Sequence, residues 1–120
     1  MPDVSAVVDG YIASWNETDP ERRRQLVEAT FAADASYVDP LVAADGRDGI
    51  DATIAAVQRQ FPGYRFALAA GPDLHHDRVR FTWHLVPDAG DAPVAIGQDF
   101  ATLATDGRLR AVTGFLEQVA

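Results

Sequence analysis

At Tyr64 the hydrophobic period of this 120-residue chain changes, and it stays changed to the end. Before that point apolar residues recur at the i, i+3, i+4, i+7 spacing of a helical face. After it they alternate as in a strand with one buried side. A chain that makes its helices first and its strands afterwards does not build the alternating units of a parallel sheet. The order predicts a single segregated α+β domain.

In the helical half, Val4, Val7, Val8, Tyr11, Ile12 and Trp15 share one face, and Asp3 is placed to cap a first helix over about 3–16. Asp19-Pro20-Glu21 starts a second helix, with a capping carboxylate, Pro at the first helical position and an acid at the positive end of the dipole. Leu26, Val27, Thr30 and Phe31 form its inner face. Arg22-Arg23-Arg24 reads as a solvated face, because no glycine loop accompanies it to make a phosphate site. Residues 35–39 read as a short strand stopped by Pro40. Residues 45–49 form a turn in which Asp48 is expected to cap a third helix. Ile50, Ile54, Val57 and Phe61 mark its buried stripe, and Pro62-Gly63 ends it.

In the second half, strands are expected over 65–70, 77–86, 94–103 and 108–117. Turns are expected at Gly71-Pro72-Asp73, at 87–91 and at Thr105-Asp106-Gly107. Val79, Phe81, Trp83 and Leu85 lie on one face of their strand, and Arg78, Arg80, Thr82 and His84 on the other. Short connections between successive strands predict an antiparallel meander. Three helices are few for so long a sheet, so the sheet should curl around them and leave a cavity at its open end.

Composition removes several function classes. A formal net charge of −8, with ten arginines and no lysine, disfavours nucleic acid and anionic membranes as partners. The absence of cysteine excludes disulfides, thiolate nucleophiles and cysteine-ligated metals. The first residues hold neither a basic segment nor an unbroken apolar run, so no signal peptide or membrane span is expected, and the cytoplasm is the expected location. His75-His76-Asp77 is the one histidine cluster. Neighbouring side chains point apart in extended chain, so no metal site is expected there. Phosphate-loop, dinucleotide and GxSxG signatures are missing.

Three polar residues stand out against this background. Tyr11 lies on the apolar stripe of the first helix, where a hydroxyl needs a partner. Asp39 ends a strand directly before Pro40. Asp99 sits in an otherwise apolar strand, where a carboxylate is costly unless paired, protonated or facing a cavity. Each also has a plain structural reading: Tyr11 as core filler, Asp39 as a turn cap, Asp99 as a solvent-facing acid. The register of that strand decides whether Asp99 or Gln98 faces inward.

The runs Tyr11-Ile-Ala-Ser-Trp15-Asn16, Phe31-Ala-Ala-Asp-Ala35-Ser-Tyr-Val-Asp39-Pro40, Gly46-Arg-Asp-Gly-Ile50 and Asp106-Gly-Arg-Leu109, in that order, resemble the nuclear transport factor 2-like superfamily. That group includes the ketosteroid isomerases and the SnoaL-like polyketide cyclases. The resemblance implies a cone-shaped α+β barrel, with three N-terminal helices packed on a curved, mainly antiparallel sheet. It also implies an apolar small-molecule pocket at the wide end, a homodimer packed through the sheets, and chemistry that needs no cofactor or metal. By the isomerase pattern, Tyr11 and a protonated Asp99 would donate hydrogen bonds to an enolate oxygen, and Asp39 would carry the proton. Trp15, Phe61, Trp83 and Phe115 are the expected pocket walls, although each also suits plain core. The alternative is a non-catalytic ligand-binding or dimerising module, with Arg78, Arg80 and His84 on the dimer face.

Overall fold

The computed structural model describes residues 3–88, 90 and 92–119, without the side chains of 118 and 119. The elements run α1 (Val4–Asn16), α2 (Pro20–Thr30), β1 (Phe31–Val38), β2 (Ala43–Asp45), α3 (Gly46–Gln60), β3 (Tyr64–His75), β4 (Arg78–Pro87), β5 (Ala95–Leu103) and β6 (Leu109–Val119). The six strands form one open sheet in the order β2-β1-β6-β5-β4-β3. From β3 to β6 consecutive strands pair antiparallel, as short connections dictate. The β1–β6 pairing is parallel, so the sheet is mixed. Extra residues at register shifts in β1, β3 and β6 bend these strands around the helices.

The first two helices begin where side-chain acceptors meet their free backbone amides. Asp3 accepts from Ser5 N at 3.2 Å and Asp19 from Arg22 N at 2.9 Å, with Pro20 opening α2. The buried faces of all three helices meet the inner face of the sheet. Val8, Val27, Phe31, Ile50, Ile54, Leu109 and Val112 are essentially without solvent contact there.

Four local expectations are corrected. Asp48 is not the cap of α3: β2 pairs with β1 as far as Asp45, the helix starts directly afterwards, and Asp48 falls in its first turn, paired with Arg24. β1 is longer than 35–39 because pairing with Leu109 draws it back to Phe31. Gly71-Pro72-Asp73 is no turn between strands. It is a bulged stretch inside β3, the edge strand, where a proline costs no ladder bond. Arg23 is not solvated: it is 6% exposed and bonds Asp51 Oδ1 at 2.8 Å and Gln58 Oε1 at 3.0 Å. Ala89 and Asp91 of the expected 87–91 turn lie outside the described residues. Among the described residues no helix is long and apolar enough to cross a membrane.

Candidate active site

The inner face of the sheet, the stripe of α1, the end of α3 and the segment after β1 line an open-mouthed cavity of about 290 Å³. Its walls are mostly aromatic and aliphatic, and its hydroxyl, carboxyl and amide groups come from Tyr11, Tyr37, Asp39, Gln60 and Asp99. The 3.6-residue period of α1 puts Tyr11 and Trp15 on the face that meets the sheet. Tyr11 packs on Phe81 at 5.2 Å and Phe31 at 5.8 Å between ring centroids. Trp15 lies 5.5 Å from both Tyr37 and Phe66.

β5 resolves the register question in favour of Asp99. It is 1% exposed and accepts a hydrogen bond from the Tyr11 hydroxyl at 2.6 Å. Gln98, one residue earlier, faces outward and bonds Glu117. Across the sheet Asp99 is opposite Phe81 on β4 and Gly114 on β6. A Cβ at Gly114 would stand 2.8 Å from Asp99 Oδ1 and 3.3 Å from the Asp39 Cβ. The missing side chain at 114, on the strand between them, leaves room for the Asp99 carboxyl on one side and for Asp39, at the end of β1, on the other.

Burial pushes the Asp99 carboxyl up from 3.8 to about 6, and the nearby Asp39 charge adds to this. The Tyr11 hydrogen bond and the Trp83 indole N–H act in the opposite direction. Tyr11 is itself raised well above 10.0, first by burial and then by the Asp99 charge. A phenol that holds its proton can turn it from Asp99 to a ligand oxygen, and a carboxyl that is half protonated in mildly acidic solution can donate there as well. Asp99 Oδ1 and Trp15 Nε1 are buried and have no partner of proper geometry.

Asp39 follows β1 and is held from three sides. The Tyr37 hydroxyl donates to its Oδ2 at 2.6 Å, and Leu41 N and Val42 N donate to its Oδ1 at 2.8 and 2.9 Å. Tyr37 was not among the residues the sequence singled out. It lies two positions before Asp39, and alternate strand residues share a face, so period two already placed them together. Burial, then the Asp99 charge, then the bond to Asp39 raise its pKa strongly.

Of the expected wall residues, Trp15, Phe61 and Trp83 line the cavity. Phe115 does not. It is 54% exposed and packs on Phe100, with Leu116 taking the inward position, because Val112, Gly114 and Leu116 are the residues of β6 that face the helices. Among the described residues no group of three metal-ligating side chains converges, His75 and His76 included.

Comparison with known proteins agrees with this fold. A crystal structure of a candidate isomerase of the SnoaL-like family from Agrobacterium tumefaciens str. C58 is 47% identical, with a TM-score of 0.88 over 93% of this chain and 95% of that one. The chain belongs to the SnoaL-like family. Two more distant structures share the fold of this SnoaL-like protein. One is a protein with a ketosteroid isomerase-like fold from Catenulispora acidiphila DSM 44928, in complex with trimethylamine (18% identity, TM-score 0.70, 90% and 82% coverage). The other is a candidate SnoaL-like polyketide cyclase from Jannaschia sp. CCS1 (16%, 0.71, 98% and 89%). No protein-family model and no curated protein matches the sequence.

Proposed function

We propose that this SnoaL-like protein binds a small, largely apolar ketone and takes a proton from the carbon beside its carbonyl, as an isomerase or cyclase does, without a cofactor. The observation that carries the reading is the buried Tyr11–Asp99 pair at 2.6 Å in an aromatic cavity that Asp39 also lines. In this reading Asp39 takes a proton from the carbon next to the carbonyl. The C–H electron pair becomes the enolate, and its oxygen is held by Tyr11 and protonated Asp99. Asp39 then returns the proton to another carbon, so atoms and charge balance on the proton alone. Tyr37 and the two backbone amides keep the carboxyl aimed while it works.

The candidate-isomerase description of the Agrobacterium relative agrees with this reading. The test is Asp39→Asn, assayed for isomerisation and for deuterium exchange on a panel of enones and 1,3-diketones. Loss of a positioned base should cost roughly 10²- to 10⁴-fold. Unchanged rates in both assays would remove Asp39 as the base. Exchange absent from wild type as well would favour a binding module.

We further propose a homodimer through the outer sheet face. Phe100 and Phe115, 41% and 54% exposed, pack together there at 5.9 Å between rings, beside Arg80.

A further inference from the structure

The cavity is small for this chemistry, and one pair of residues makes it so. At about 290 Å³ it lies at the bottom of the range that takes drug-sized ligands. That is about ten water volumes, or space for roughly ten to fifteen non-hydrogen atoms. A cavity of that volume, with Tyr11 and Asp99 lining it and an exposed rim at Leu41 and Phe61, has room for one or two rings. Anything longer carries its remaining rings into water.

The lateral wall is Trp83. Its indole lies flat on Gly97, its neighbour across β4 and β5, so closely that a Cβ there would stand 2.2 Å from Cζ2 and 2.4 Å from Cε2. Phe66 holds the other side of the ring, edge-on at 5.2 Å. Only glycine at 97 lets the indole lie against the sheet. Any side chain there would lift it into the cavity, and removing the indole would open the cavity sideways.

We infer that the ligand of this site is a compact one- or two-ring ketone or its enol, and that Trp83 seated on Gly97 sets that size limit. The inference rests on Tyr11 and Asp99 being the oxygen-binding groups of the proposed function.

Calorimetric titration with phenol, 2-naphthol and a four-ring phenolic steroid tests it, since a phenol presents a planar ring oxygen like that of an enol. Wild type should bind 2-naphthol about tenfold more tightly than phenol, as burial of a second ring predicts, with at most about a twofold further gain for the steroid. Trp83→Leu should shift the preference toward the steroid. Gly97→Ala should weaken 2-naphthol more than phenol. Far-ultraviolet circular dichroism of each variant keeps a folding defect from passing as a size effect. Affinity that keeps climbing through the steroid in wild type overturns the size limit alone. A preference unchanged in both folded variants overturns the role of Trp83. If no phenol binds, or if Tyr11→Phe leaves every affinity intact, the oxygen site itself is wrong and the inference falls with it.

Discussion

A carboxyl group with 1% of its surface exposed must give up its charge or find partners for it, and Asp99 does part of each. Its folded-state pKa of about 6 lies above the ordinary 3.8, so the folded state holds the proton more tightly than the unfolded chain. The stability this contributes is complete below pH ~4 and is lost as pH rises through 6, about 3 kcal/mol by neutral pH. Asp99→Asn keeps an acceptor for Tyr11 and has no charge to bury. Urea denaturation should find it close to wild type at pH 4 and more stable by roughly 1–3 kcal/mol at pH 8. A variant less stable at pH 8 would mean that the ionised carboxylate is itself a net asset. The same titration bears on the proposed chemistry: activity that needs protonated Asp99 should fall about tenfold per pH unit above 6, measured as kcat/KM. Tyr11 and Asp99 were legible in the sequence because a hydroxyl on a helical stripe and an acid in an apolar strand both demand an explanation. Phe115 was misplaced because the side a strand residue takes depends on register alone, and both 112-114-116 and 113-115 carry apolar residues.

At the scale of elements, the three helices are tied by a polar joint that period and capping signals do not reveal. Arg23 of α2 bonds Asp51 and Gln58 of α3, and Gln58 Nε2 donates to Trp15 O at 3.0 Å and Glu17 O at 2.8 Å at the end of α1. The free carbonyls of the α1 C-terminus are thus satisfied by a side chain from another helix. Removing Arg23 leaves Asp51 and Gln58 without their guanidinium partner. Arg23→Ala should cost about 3 kcal/mol in urea denaturation, near the low end for a broken buried pair because the Asp51 side chain is 25% exposed. Arg23→Lys should recover less than half of that, since one ammonium cannot serve Asp51 and Gln58 together as a guanidinium fork does. Full recovery by lysine would reduce the joint to simple charge. Helix starts were legible from Asp3 and Asp19-Pro20, because caps are local. The short strand β2 and the early start of β1 were not, because partners distant in sequence, Asp45 for Ser36 and Leu109 for Phe31, create them.

Across the whole molecule the two faces of the sheet carry different apolar burdens. The inner face is closed by helices, whereas the outer face leaves Phe100 and Phe115 in water, with a shallow hollow of about 470 Å³ running past Asp73, Arg80 and Thr113. Register aligns these residues in rows across the sheet: Arg80, Phe100 and Thr113 form one, and Thr82, Gln98 and Phe115 the next. An overall charge of −8 opposes self-association; beside the patch Arg78 and Arg80 are paired with Asp77 and Asp73, and screening by salt weakens the repulsion that remains. The proposed homodimer should therefore sediment as a dimer at micromolar concentration and tighten as salt rises from 20 to about 200 mM. Phe115→Glu puts a charge at the centre of the patch and should give a monomer. Because that side chain is more than half exposed, the folded monomer should keep its thermal stability within about 0.5 kcal/mol. A wild type that sediments as a monomer throughout that salt range would leave Phe100 and Phe115 as ordinary surface residues. The cavity would be unaffected, because its sheet walls come from the opposite face and the rest from α1, α3 and the segment after β1.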